Sequence, residues 1–503
     1  MSSNNFFEWR IGIMNVEEKY LTAEGYGNKI NACGTALRQK QTWTVEFHED
    51  ETIYIRSYAR YFISVDRLGT VTCDAKERGE NEKFLLEYAT DGSSRWAFRN
   101  KKQKYFLAGT EDKIDCLAKK ATDEDLSLWY APFAMHPQVT LFALMGKKFA
   151  IADSTNVCVT GSKAWGASAL FTMEFHCGKY RFKTADNRYV CKDGSIVDTH
   201  DKDTLFGIEI HLSDDKSLKG LTFKDNEGRY LSTSGPSGKL RAHQKVLRKE
   251  ALFLLQECHP QVTIVGTGGK IASVGLEVML KNMPQGPTKS ELFQLEYQSK
   301  KKKWTIETYD GTFWTTGKNG RIEANTETVS DDSLFEILWL SNGMASIKGS
   351  NGKRLVSKGT GNLVANFPED EDDKGFQIRI LNRPVIVFRC EFGFIGIKTS
   401  AGSNKDEYIC TKAYPSVITL DQLDDGRYSL QSENGKYWCI NLQTGGHPTI
   451  KANSAEPVPF VLEFRDTSAL TILAPNDRYM IYDKVGHFHA AATELGPKCM
   501  LYC

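Results

Sequence analysis

Gly228-Arg-Tyr-Leu-Ser-Thr-Ser-Gly-Pro-Ser-Gly-Lys-Leu-Arg-Ala, followed after a polar stretch by Phe253-Leu-Leu-Gln-Glu, decides the fold. Two short apolar runs flank the Gly-rich turn at Ser234 to Lys239, which reads as a hairpin, and Phe253 to Glu257 reads as a further strand. The opening of the chain has the same parts: Lys19-Tyr-Leu-Thr, Tyr26-Gly-Asn, Ile30-Asn-Ala and Trp43-Thr-Val-Glu. An aromatic residue that closes a Gly-Lys-Tyr-like turn recurs about every forty-two residues. It stands at Tyr20, Tyr61, Tyr105, Phe149, Tyr189, Tyr230, Phe313, Phe394, Tyr437 and Tyr479, and Lys270 and Arg354 fill the two gaps. Twelve units of about four short strands therefore account for nearly the whole chain. Apolar residues at helical spacing are sustained nowhere, so few helices beyond single turns are expected.

A period in the low forties also suits a propeller blade. No unit carries the Gly-His and Trp-Asp pair of that blade, and twelve blades exceed the usual four to eight. A longer period decides between them. His136-Pro-Gln-Val recurs word for word at His259, and Asn382-Arg-Pro-Val follows, so that Pro137, Pro260 and Pro384 stand 123 and 124 residues apart. Units thus come in threes, which is the β-trefoil: six barrel strands and three hairpins, with no free edge. The expected architecture is all-β, four tandem β-trefoil domains at 1–135, 136–258, 259–381 and 382–503.

Composition sets bounds on function. Hydrophobic content of 41% and charged content of 25% are ordinary for a globular chain. No run of eighteen apolar residues exists and the N-terminus lacks a signal-peptide pattern, so no membrane insertion and no secretion are expected. A net charge of +1 gives no bulk attraction for nucleic acid, and an acidic partner must be met by local patches. The twelve cysteines form no C-x-x-C pair and no metal-ligand spacing with histidine. Cys73 and Cys116 occupy the slot held by Ala32 in the first unit, which reads as a small buried side chain in a reduced, cytosolic protein.

Catalytic signatures are missing. No G-x-S-x-G, Walker, H-E-x-x-H or EF-hand pattern occurs, so neither catalytic residues nor a cofactor or metal are expected. His136 and His259, with Asn382 in their place once, read as structural turns at domain junctions. The acidic run from Glu369 to Asp373 reads as a solvated loop, and Lys300-Lys-Lys-Lys as a hairpin tip that is merely basic.

Longer strings carry a family resemblance. Lys19-Tyr-Leu-Thr-Ala-Glu, Lys29-Ile-Asn-Ala, Leu37-Arg-Gln-Lys-Gln-Thr-Trp, Gly109-Thr-Glu-Asp, Met135-His-Pro-Gln-Val, Gly235-Pro-Ser-Gly and Leu381-Asn-Arg-Pro-Val-Ile-Val-Phe-Arg together resemble the fascins, which bundle actin. The ending Cys499-Met-Leu-Tyr-Cys departs from the family's usual Leu-Trp-Glu-Tyr. The resemblance implies a cytosolic monomer that crosslinks parallel actin filaments in cell protrusions. It implies a main filament site at Lys19, Arg38 and Lys40 with Glu391 and Lys398, and a second surface at Lys147, Lys148, Arg241, Lys353 and Lys358. A basic position in the last unit is Ile481 here, with Lys484 close by. The serine that fascins phosphorylate before the basic loop is Ala36, which leaves the adjacent Thr35 as the possible phosphorylation site. The other reading is a carbohydrate-binding trefoil array, although the Gln-x-Trp of such lectins does not recur here.

Overall fold

The computed structural model describes residues 7–26, 29–48, 50–212, 219–340, 343–367, 375–398, 406–442 and 447–503. These contain forty-eight β-strands and eight helical segments, each a three-residue 3-10 turn. The acidic run from Glu369 to Asp373 lies outside the described residues. The chain divides into two compact units: one holds most of residues 1–256, the other most of 257–503.

Antiparallel strands in the first unit close into two six-membered rings. One runs through Phe7–Gly12, Thr42–Phe47, Thr52–Ser57, Phe84–Tyr88 and Trp96–Asn100. The segment from Trp129 to Phe133 closes it, exchanging backbone bonds of 2.8 Å with Trp96 on one side and bonds of 2.7 and 2.9 Å with Met14 on the other. The second ring runs Gln138–Ala143, Phe171–His176, Lys179–Thr184, Phe206–Leu212, Lys219–Lys224, Phe253–Glu257 and back to its start. In the second unit a ring starts at Gln261–Val265 and returns to it through Gln377–Ile380. The last ring starts at Val385–Ile386 and Arg389–Cys390 and closes on Leu501–Tyr502.

Each ring carries three hairpins that bond to one another. In the second ring Val157 N–H reaches Gly194 O at 2.8 Å, Val159 N–H reaches Gly238 O at 2.8 Å, and Ala242 N–H reaches Lys192 O at 2.6 Å, completing a cycle. The last ring repeats it through Cys410 to Gly486, Ala452 to Asp406 and Ala490 to Pro448. Six staves and three capping hairpins are the β-trefoil arrangement.

The core follows the repeat. At the start of each unit's fourth extended segment stands Trp43, Phe84, Trp129, Phe171, Phe206, Phe253, Phe293, Phe335, Phe376, Ile418, Phe460 or Leu501, and every one is buried. Burying such a side chain stabilises by roughly 1.5–3 kcal/mol. The ladder aromatics themselves are mostly half-buried; the residue that follows them packs inward, as at Leu21, Leu231 and Trp438. This corrects the ladder in three units, where the buried followers Ile63, Leu107 and Ala272 put Phe62, Phe106 and Ile271 on it, one place after Tyr61, Tyr105 and Lys270. The turn decides the register. A residue with positive φ stands two places before the ladder position at Glu18, Arg60, Lys104, Lys147, Asn187, Gly228 and Gly269 alike. Adjacent Tyr-Phe pairs hide that spacing from pattern reading in the first two of the three corrected units.

Two further expectations are settled by burial and register. All twelve cysteines are free, and Cys73 and Cys116 are buried. Burial pushes their thiols up, to about 11 and about 12. At the junctions it is Arg383, not Asn382, that stands in the slot of His136 and His259 immediately before the proline. Asn382 is buried and donates to His259 O at 2.8 Å while accepting from Gln261 N–H at 3.0 Å. A structural role at that junction therefore holds.

Within each unit the two barrels are locked by the same devices. In the first, Trp96 Nε1–H donates to Ile208 O at 3.2 Å and Phe133 N–H donates to the Tyr180 hydroxyl at 2.7 Å. In the second, Trp339 Nε1–H donates to Phe464 O at 3.1 Å and Ile380 N–H donates to the Tyr428 hydroxyl at 2.9 Å. Burial pushes the Tyr428 phenol up to about 12. In the first unit one apolar cluster runs continuously from Ile11 to Leu255 through both barrels. Tyr180→Phe and Tyr428→Phe each strip a backbone N–H of its partner, so each should lower unfolding free energy by about 1–3 kcal/mol in denaturant titrations. Unchanged midpoints would refute the lock.

Candidate functional site

The basic loop of the first unit is built from the strand behind it. Strand Tyr20–Ala23 pairs with Ile30–Gly34, and the chain then turns through a 3-10 segment, Gln39–Gln41, into Thr42–Phe47. Gln41 is buried and donates from Nε2 to Thr22 Oγ1 at 3.0 Å, and Thr22 Oγ1 donates to Tyr20 O at 3.0 Å. Arg38 O accepts from Gln41 N–H at 3.0 Å and from Thr42 Oγ1 at 2.9 Å, while Arg38 N–H donates to Ala36 O at 3.1 Å. These bonds fix the loop's backbone from both ends. The side chains of Arg38 and Lys40 face solvent.

Their electrostatic states differ. Lys40 Nζ lies 3.3 Å from Glu24 Oε2, an exposed pair of modest strength. A hydrogen bond from Asn31 at 2.8 Å, with help from Lys40, holds the Glu24 carboxyl below its ordinary range against a small opposing burial effect. Arg38 makes no ion pair with a described residue. Lys19 is half-buried beside the left-handed Glu18, its N–H donating to Asn15 Oδ1 at 2.9 Å. Thr35 is exposed at the loop's start and Ala36 is half-buried. Glu24, Thr22 and Gln41 escaped the sequence reading because they bear on the loop only once the hairpin has folded.

Lys147, at φ 50°, ends the turn before the second barrel's first hairpin and Lys148 opens its strand Lys148–Ala152; both are exposed. Arg241 is exposed on strand Lys239–Gln244 of the same barrel, cross-strand from Ser232. Lys353 and Lys358 are exposed at opposite ends of strand Arg354–Ser357, and Asn351 and Asn362 fix their backbones through bonds of 3.0 and 2.9 Å. Glu391 precedes and Lys398 follows strand Gly393–Ile397, and both are exposed. Ile481 is half-buried opposite His489. Lys484 is exposed in the turn held by Asp483, whose carboxyl, despite some burial, is kept at about 2 by the backbone and ring of His487.

Comparison with known proteins adds to this geometry. The family model described as "Fascin domain" matches residues 17–129, 147–255 and 268–378, each span running through three repeats. Fascin-2 of Bos taurus is 30% identical over 477 residues, covering 94% of this chain and 93% of the relative. Fascin of Strongylocentrotus purpuratus is 28% identical over 506 residues, at 97% of each chain. Fascin-3 of Homo sapiens is 23% identical over 500 residues, at 98% and 96%.

The Gln41–Thr22 contact generates a direct expectation. Gln41→Ala leaves the Thr22 hydroxyl without its buried donor and should cost about 1–3 kcal/mol of stability. Amide exchange should rise first at residues 38 to 42. Uniform destabilisation with no local change there would show that the contact does not shape the loop.

Proposed function

Because the chain belongs to the fascin family, we propose that it crosslinks parallel actin filaments into tight bundles, as a cytosolic monomer in cell protrusions and by binding alone. In this reading the barrels correspond to residues 1–135, 136–258, 259–381 and 382–503. Lys19, Arg38 and Lys40, with Glu391 and Lys398, grip one filament, while Lys147, Lys148, Arg241, Lys353 and Lys358 grip another.

One observation carries most of the weight. The first unit bears Arg38 and Lys40 on one barrel and Lys147, Lys148 and Arg241 on the next, and those barrels share a continuous core. A crosslinker needs two such patches at fixed separation, because slack in the spacer lowers the effective concentration for the second contact. Local cationic loops also suit an acidic polymer when the net charge is only +1. No described helix is long and apolar enough to cross a membrane.

Low-speed cosedimentation with purified filaments tests the reading, since bundles pellet and singly decorated filaments do not. Arg38→Glu with Lys40→Glu should weaken filament affinity about tenfold or more and flatten its salt dependence. Arg38→Glu alone should cost more than Lys40→Glu, because Glu24 already neutralises part of Lys40. An unchanged double variant would misplace the main surface. For regulation, Thr35→Glu adds charge beside Arg38 and should reduce bundling several-fold. Full bundling by that variant would remove Thr35 as a switch.

A further inference from the structure

The Lys300 to Lys303 run reads from sequence as a basic hairpin tip, and the structure puts a cavity beside it. The tip joins strands Phe293–Gln298 and Lys303–Thr308, with Lys302 in the left-handed region at φ 53°. Next to it, in the third barrel, is an open cavity of about 570 Å3 between the eighth and ninth repeats. Its wall includes Lys301 and Lys303 from the tip, Lys318 from the following turn, Asp332, and Ser350 with Asn351 from the next repeat. Four separate segments converge there.

We propose that this cavity binds a phosphorylated polyol, such as an inositol phosphate, free or as a lipid headgroup. The charge arrangement selects the class. Asp331 takes up Lys301, at 3.1 Å, and the Ser330 to Ser333 capping contacts fix its short turn. Lys303, half-buried, and Lys318, exposed, make no ion pair with any described residue. Two unpaired ammonium groups lining one cavity favour a compact dianion, which accepts charge-assisted hydrogen bonds from ammonium groups. Lys300 and Lys302 lie exposed at the tip and reinforce the field.

The rest of the lining argues against a bare polyanion. Asp332 lies there, and Ser350 Oγ donates to its Oδ1 at 3.5 Å. Ser350 N–H is held by Thr316 Oγ1 at 3.1 Å, and Asn351 Nδ2 donates to Ala365 O at 2.8 Å, so these groups are fixed in position. The carboxylate repels a second phosphate, and the carboxylate and hydroxyl oxygens accept from alcohol groups. The volume lies within the range of small-molecule sites. A phosphorylated polyol, carrying both phosphates and hydroxyls, matches this mixed lining, whereas a nucleic-acid strand, anionic along its length, does not. This cavity's ligand is independent of the filament reading.

The test is titration calorimetry of the full chain at low salt with inositol 1,4,5-trisphosphate and with inorganic pyrophosphate. In parallel, the chain is sedimented with phosphatidylcholine vesicles with and without phosphatidylinositol 4,5-bisphosphate. Saturable trisphosphate binding is expected, at least tenfold weaker in Lys303→Glu/Lys318→Glu and unchanged in the charge control Lys270→Glu, with thermal unfolding confirming that all three fold. Asp332→Asn/Ser350→Ala should lose trisphosphate affinity several-fold while pyrophosphate binds no more weakly. Vesicle capture that disappears in the double-lysine variant identifies a lipid source, and soluble binding without vesicle capture identifies a free one. Absence of saturable trisphosphate binding in the wild type, or equal binding by Lys303→Glu/Lys318→Glu, overturns the site. An unchanged trisphosphate-to-pyrophosphate ratio in Asp332→Asn/Ser350→Ala overturns its polyol half.

Discussion

Backbone closure is the constraint from which the rest follows. A short strand with an unpaired edge invites association with other chains, and a repeat of four short strands cannot close on itself. Three repeats can. Trp129 to Phe133 shows how: it bonds to Trp96 on one side and to Gly12 and Met14 on the other, so the third repeat seals the first. Once the wall is closed, the hairpins have nowhere to pair except with one another. The cycle through Val157, Gly194, Ala242 and Gly238 is the outcome. Turns that join wall to hairpin are then fixed on a rigid frame, and their side chains are free to vary. Binding chemistry therefore collects there.

Rigidity within each unit has a separate origin. Trp96 and Tyr180 in the first unit, and Trp339 and Tyr428 in the second, bind main-chain groups of the neighbouring barrel. A side chain bonded to another barrel's backbone resists sliding, because slippage leaves a buried polar group unsatisfied. Hydrophobic contact alone would tolerate it. Two barrels held in this way act as one body, which a spacer between two binding patches requires.

The sequence disclosed the repeat, its grouping in threes and the all-β class, because those depend on turns and apolar spacing that recur at fixed intervals. It also disclosed the small buried slot shared by Ala32, Cys73 and Cys116. It misplaced the ladder at Tyr61 and Tyr105, where a neighbouring Phe offers a similar choice, and at Lys270; backbone handedness at Arg60, Lys104 and Gly269 decides. In the basic loop, Arg38 and Lys40 were legible as charges. Glu24, which shares Lys40, and Gln41, which shapes the loop, were not, because hairpin folding and not chain spacing brings them there. The cavity beside Lys303 was hidden for the same reason, since its walls come from four stretches of chain.

Pairing explains how a nearly neutral chain presents cationic sites. Many of its cations are engaged in structure: Arg95 bridges Asp91 and Asp123, Lys192 bridges Asp203 and Glu227, and Arg229 holds Asp225. Such cations contribute little to an external field, because their partners cancel them within a few ångströms and salt screens the remainder. Arg38, Lys303 and Lys318 have no such partner among the described residues. The effective charge of this surface is therefore set by which lysines and arginines the fold leaves unmatched, and the total of +1 conceals that distribution. Two chains with identical composition but different pairing would meet an acidic partner in different places. For this fold, a site is better sought among unpaired cations on fixed turns than among the densest runs of basic residues.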